Sequence, residues 1–403
     1  MNTRLKVTTN RILMALFIGL VFLTPLIFSG ATAEMYEFPK MTFVYTMGST
    51  IVAVWLVSRL LWGGKKLVLP RPEVLGFVLV IMLSVAFSSH LYTSLWGYYS
   101  RFNGGLMSLT VFFGIYMVGL NFFDQKRLEV IKDILCLGLL PVSLYGIFQI
   151  LKYDRVFSTL GQPNWLAAYT IFLLPLLLNR ILSSQEELKR NFWLATFLLS
   201  LICLWFTHSL SGLAGFLVGM LYLVFSSKKV MFKKWMILPV VVLGLVIFFN
   251  YSYFKARMMD ALVFSQDPGS YRVSDPGLIR MGLWKGSLRM AVSSPKNFLL
   301  GTGPETFPYE YPFFREDIIN YSSEWDFILN KPHNYYLELL VESGVLSLFF
   351  YLLVVGKALK KGNVFLNAGL IGFLVSNIFG WPTVATSLIF WLWLVLARKS
   401  TFP

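Results

Sequence analysis

Lys331-Pro332-His333-Asn334-Tyr335-Tyr336 opens an apolar run that continues to about residue 356, in which Glu338 and Glu342 are the only charged residues. A helix needs roughly 20 residues to cross a ~30 Å hydrocarbon core, so the polar cluster stands at the mouth of a membrane span. The 80 or so residues before it, from about Ser252 to Pro332, form the one long polar segment of the chain.

Similar apolar runs recur at approximately 12–29, 41–62, 74–90, 106–123, 133–151, 164–182, 192–208, 211–226, 235–252, 335–356, 363–380 and 383–397. Hydrophobic residues make up 56% of the 403 and charged ones 14%. Lipid admits only closed barrels or helices, and these runs are far too long for barrel strands. The expected fold is therefore an all-α polytopic membrane protein of about 12 transmembrane helices, with one long external loop. Helices one to nine occupy 1–252, the loop 253–334, and helices ten to twelve 335–403.

A net charge of +15 raises the question of nucleic acid, but the placement of the charges argues against it. Lys and Arg gather in alternate connections: Arg4/Lys6/Arg11, Lys65/Lys66/Arg71, Lys126/Arg127/Lys132, Lys189/Arg190, Lys228/Lys229/Lys233/Lys234, Lys357/Lys360/Lys361 and Arg398/Lys399. The short intervening connections carry only Lys40, Arg101, Lys152 and Arg155. The positive-inside rule then predicts both termini in the cytoplasm and the long loop outside. Ala31-Thr32-Ala33 resembles a signal-peptide cleavage site, but the preceding run of about 18 residues exceeds the usual 7–15, which favours a retained helix. Cys136 and Cys203 lie within spans without metal-ligand spacing and read as small packing residues.

Within the loop, Asp267-Pro268-Gly269 and Asp275-Pro276-Gly277 are turn signals. The stretch from Leu278 to Met290 has helical apolar spacing and predicts an amphipathic helix at the membrane interface. Pro295, Gly301, Gly303 and Pro304 close it and begin an irregular aromatic stretch containing Phe307, Tyr309, Tyr311, Phe313, Phe314 and Trp325.

All three histidines, His90, His208 and His333, fall on the external side in this topology. A capping role suits an interfacial histidine in general. His333 differs because a helix start favours the neutral imidazole, Pro332 restrains the approach of the chain, and Asn334, Glu338 and Glu342 share one helical face. Ionisable groups within spans are functional candidates; helix-holding ion pairs are the alternative, which Glu342, beside Gly344, fits better than Glu338. Guanidinium binds phosphate oxygens bidentately and keeps its proton, so the external arginines matter. Of Arg101, Arg155, Arg257, Arg272, Arg280, Arg289 and Arg315, the first and fifth stand out. Arg280 lies on the amphipathic helix one turn before Trp284, and Arg101 lies in a short, otherwise uncharged loop. Gly161-Gln162-Pro163-Asn164 places two amides on a rigid turn, suited to sugar hydroxyls or to helix capping. There is no metal cluster, phosphate loop, nucleotide fingerprint or Ser-His-Asp pattern, so neither metal nor cofactor is expected.

Pro332-His333-Asn334 followed after nine residues by Gly344 resembles the His-Asn-x9-Gly signature of O-antigen ligases and related polymerases. Arg280 with Trp284, then Pro295, Gly301 and Gly303, is similar to the stretch upstream of that signature, and Gly161-Gln162-Pro163-Asn164 resembles its amide-rich turn, protein O-oligosaccharyltransferases included. The resemblance covers most of the chain. It implies a metal-independent glycosyltransferase of the bacterial inner membrane, moving a glycan from an undecaprenyl-diphosphate carrier to a hydroxyl of lipid A-core, another glycan or another acceptor on the periplasmic face. His333 would be the catalytic base; Arg280 and Arg101 would hold diphosphate; Asn334, Gln162, Asn164 and Glu338 would contact substrate. Two positions depart from the pattern. Ser347 stands where Gly, Thr or Tyr is usual, and Leu210, in Thr207-His208-Ser209-Leu210, replaces an arginine. His208 is the expected substitute for it. Protein glycosylation and lipid-linked oligosaccharide flipping are the alternative functions; charges gathered at the mouth rather than at mid-membrane count against flipping.

Overall fold

The structure is a computed structural model that describes residues 2–63, 66–226 and 276–399. Among the described residues it is helical, without strands. The first nine helices are α1 (Asn2–Leu23), α2 (Glu37–Trp62), α3 (Pro72–Ala86), α4 (Leu91–Trp96), α5 (Leu106–Phe122), α6 (Gln125–Gln149), α7 (Pro163–Ser183), α8 (Glu187–Phe206) and α9 (Leu210–Ser226). Then follow α10 (Pro276–Ala291), α11 (Pro295–Leu300), α12 (Tyr335–Leu359), α13 (Val364–Ser376) and α14 (Val384–Lys399). Helix starts carry local signals: Pro72, Pro163 and Pro295 stand in first turns, where a missing N–H costs nothing. Asp124 accepts from Arg127 N and Asn363 from Leu366 N, each an N-cap.

Six of these helices are long and apolar enough to cross a membrane: Arg4–Leu23, Glu37–Trp62, Gln125–Gln149, Pro163–Ser183, Glu187–Phe206 and Tyr335–Leu359. Shorter apolar helices are Pro72–Ala86, Leu106–Phe122, Leu210–Ser226 and Val364–Ser376. The expected span 235–252, the turn signals at 267–269, and Arg257 and Arg272 lie outside the described residues. α1 packs into the bundle through Leu13, Phe17 and Leu20.

α7 is apolar on every side and forms the centre, packed against α6, α8, α9 and α13. α9 and α13 meet through small residues. A Cβ on Gly215 would lie 2.4 Å from the Gly372 carbonyl oxygen, and one on Gly219 would lie 2.6 Å from that of Ala368. Close backbone approach of this kind replaces the hydrophobic drive that lipid cannot supply.

α10 forms where the amphipathic pattern predicted it, but its apolar face is covered by protein. Leu283, Met290 and Ala291 pack with Phe307, Tyr311, Ile319 and Leu329 and with Val341 of α12, forming a second core.

Candidate functional site

α12 is not one continuous helix. Gly344 has φ +77° and ψ 172°, outside the helical region, which divides it after its first two turns. The carbonyls released there are taken up by the Gly301–Gly303 segment: Thr302 N donates to Val341 O at 3.0 Å and Gly303 N to Glu342 O at 2.8 Å. Ser84 Oγ adds a bond to Glu342 O at 3.0 Å. A Cβ on Gly344 would lie 2.1 Å from the Leu299 carbonyl oxygen, and one on Gly301 2.2 Å from the Glu342 carbonyl carbon. Gly301 and Gly344 therefore let two backbones touch, fixing the loop against the first half of α12, while Gly303 makes room for the Ser88 and Ser94 side chains.

Asn334 is the N-cap of α12: its Oδ1 accepts from Tyr336 N at 3.0 Å and Leu337 N at 3.1 Å. The helix begins at Tyr335, as the apolar run predicted, and the Asn334 side-chain oxygen is committed to capping it. His333 sits before the cap with φ +54°, a left-handed conformation that costs a non-glycine residue energy. Its surroundings hold it there. Trp284 Nε1 donates to Pro332 O at 3.1 Å, and the imidazole meets the edge of Trp381 with centroids 5.0 Å apart.

The turn Phe379-Gly380-Trp381, between α13 and α14, lies beneath the predicted cations. Arg280 stands over Phe379 at 5.8 Å; Arg101 stands over Trp381 at 5.9 Å and Trp165 at 5.7 Å. Among the described residues neither guanidinium has an ion pair, and Arg101 Nε is buried without a hydrogen-bond partner. Both act on His333. Burial, then Arg280, then Arg101 push the imidazole down from 6.5 to about 4, so it is neutral at pH 7.

Gln162, Asn164 and Trp165 from the start of α7 line the same small cavity as His333, Asn377 and Trp381, so the amide turn and the histidine converge. Asn164 is the second residue of α7 and does not cap it; its Oδ1 accepts from Arg155 Nη2 at 3.5 Å. Arg155 Nε also donates to Thr207 O at 3.0 Å. The cation beside the Thr207–Leu210 element is thus Arg155, supplied by the preceding connection. His208, the expected substitute, is half-buried with φ +49° near Trp205 and Phe206 and lines neither the His333 cavity nor the acidic one described next. His90 is exposed and stacks on Tyr309 at 4.2 Å, away from the site.

One to two turns into α12 lies a buried acidic cluster. Lys331 Nζ is 2.5 Å from Glu305 Oε1, 2.7 Å from Glu338 Oε1 and 4.0 Å from Glu342 Oε2. Burial alone would lower the Lys331 ammonium, but Glu305, Glu338 and Glu342 outweigh it and raise it. The three carboxylates are close enough together to hold a metal ion, but the ammonium occupies the space between them. Glu342 also accepts from Glu305 N at 2.9 Å and Phe307 N at 3.3 Å, which makes it a structural anchor for the loop. Sequence reasoning missed Lys331, Glu305 and Trp381. Lys331 adjoins His333 and Trp381 lies in a Trp-Pro turn between apolar runs, but nothing local marks Glu305.

These features define a polytopic helical membrane protein whose polar mouth joins a neutral histidine to the guanidiniums of Arg280 and Arg101. Residues 195–352, well under half of the chain, match the family described as O-antigen ligase, which supports the O-antigen ligase-like superfamily and its membrane glycosyltransferases. A search of curated proteins found no match.

Proposed function

We propose that the protein transfers a glycan from an undecaprenyl-diphosphate carrier to an acceptor hydroxyl at the external face of the bacterial inner membrane, as a ligase or polysaccharide polymerase. The observation that carries this reading is the placing of Arg280 and Arg101, neither of which forms a direct ion pair among the described residues, around a neutral His333. A desolvated cation is costly unless an anion joins it, and a diphosphate supplies that anion. His333 accepts the acceptor hydroxyl's proton as that oxygen attacks the anomeric carbon. The carrier diphosphate leaves with the bonding electrons, its growing charge held by the two guanidiniums.

The electrostatics give the site an order of events. Burial and the two cations keep His333 a weak base; a bound diphosphate would offset the cations and raise its basicity when it is needed. Broken helices form the transport sites of many transporters, and α12 is broken. Here the freed carbonyls are bonded to Thr302 and Gly303 and are not presented to a substrate.

Reconstitution in vesicles with an undecaprenyl-diphosphate glycan, with and without lipid A-core, tests the reading. Elongation without lipid A-core marks a polymerase, and single en bloc transfer marks a ligase. His333→Ala should lower transfer at least ~100-fold, the low end of general-base contributions. Full activity in that variant, or lipid movement without transfer, overturns the proposal.

A further inference from the structure

Behind Trp381 lies a second cavity of about 140 Å³, lined by residues of α2, α3, α5, α12 and α14. Trp381 lines both this cavity and that of His333, so the two share a wall. Four residues lining the second cavity each bury a polar atom without a hydrogen-bond partner among the described residues: Glu37 Oε1, Arg101 Nε, Glu338 Oε2 and Tyr351 Oη. Glu37 and Tyr351 are each 2% exposed and Glu338 8%, so bulk water does not satisfy them. They come from α2, the α4–α5 connection and α12, so the arrangement is not a by-product of one helix. Buried polar groups are normally paired, and orphans gathered around one space point to an absent partner.

The chemistry of the walls narrows that partner. Glu37, Glu305, Glu338 and Glu342 line the cavity against Lys331 and Arg101, so carboxylates outnumber cations by two and an anion is disfavoured. The orphan atoms are two carboxylate acceptors, one guanidinium donor and one hydroxyl that does both. Trp381 and Trp391 add flat aromatic surface. A hydroxyl-bearing ring meets all of these: its hydroxyls donate to the carboxylates and accept from Arg101 and Tyr351, and its C–H face lies on indole. The volume of about 140 Å³ is room for more than a single water and admits a small polar ring.

We propose that this cavity is a subsite for one uncharged pyranose ring, and that its acidic lining rejects sugars bearing carboxylate or phosphate. It rests on the glycan-transfer reading above for its biological meaning, but not for its test. The probes are methyl β-glucopyranoside, methyl β-galactopyranoside and methyl β-glucuronide, measured by saturation-transfer NMR on the full-length protein in nanodiscs.

At least one neutral glycoside should bind saturably, at least ten-fold more tightly than the glucuronide. Tyr351→Phe removes a hydroxyl that has no protein partner, so it should leave thermal stability unchanged or higher while weakening the neutral sugar about five-fold, the worth of one hydrogen bond. Glu37→Gln, which keeps the shape and one acceptor oxygen, should narrow the gap between neutral sugar and glucuronide. Binding of the glucuronide equal to that of the neutral sugars, no binding of either glycoside, or sugar affinity unmoved in both variants would overturn the subsite. Selective sugar binding beside transfer that survives His333→Ala would instead defeat the catalytic assignment and leave the subsite standing.

Discussion

Replacing Arg280 by Gln separates two effects of one side chain. In the free protein His333 is lowered from 6.5 to about 4, first by burial, then by Arg280 and then by Arg101. Since burial outweighs Arg280 and Arg101 adds its own share, Arg280 accounts for less than half of the fall. The imidazole of Arg280→Gln should therefore titrate between about 4 and about 5. The direction follows from charge: without a nearby cation protonation is easier, so the base is lost at a higher pH. The acid limb of kcat/KM, which reports the free protein, should move upward by up to about one pH unit. At pH 7 the imidazole is neutral in both proteins, so any loss there measures the contacts to diphosphate. Charge-assisted hydrogen bonds are worth ~1.5–3 kcal/mol, or roughly 10- to 150-fold in transfer. In the wild-type protein the acid limb of kcat should lie above that of kcat/KM, because bound diphosphate offsets both guanidiniums. The assay is transfer of a labelled glycan from its undecaprenyl diphosphate in proteoliposomes between pH 4 and 8. A limb that stays in place or moves to lower pH would refute the electrostatic coupling of Arg280 to His333, and full activity at pH 7 would refute its contact with the diphosphate.

Two further outcomes concern the frame that holds the site. Gly344→Ala adds a Cβ 2.1 Å from the Leu299 carbonyl at φ +77°, whereas Gly356→Ala meets nothing within 4 Å. The first should cost at least ~2 kcal/mol and lower the thermal midpoint in detergent, while the second, in a helix interior, should gain up to ~1 kcal/mol; equal midpoints would contradict the packing of the loop on the helix break. Lys331→Met leaves Glu305, Glu338 and Glu342 without their shared ammonium and should cost ~3–5 kcal/mol, with part of the loss restored by adding Glu305→Gln. A Lys331→Met protein as stable as wild type would mean that the cluster is not held by this charge.

Helix positions were legible because the signals are local. Apolar runs mark where backbone must bond to itself in lipid, and proline and cap residues mark the starts. His333, Gln162 and Asn164 were legible as candidates because each stands beside such a start, and the structure brings them to one cavity. Asn334 also stands beside that start, and the structure adds that its side-chain oxygen caps the helix.

The sequence alone determined that this is a helical membrane protein with a histidine at a polar mouth, since both statements depend on the order of residues along a few turns. Tertiary structure decided which charges share that mouth. Arg155 lies beside the Thr207–Leu210 element through a bond between residues 52 apart in sequence. Glu305 reaches Lys331 across 26 residues because Gly301 and Gly344 let the loop press against the helix break. Helical periodicity carries no information about such partners. They are fixed by where backbones can approach, and in this protein glycine sets that distance.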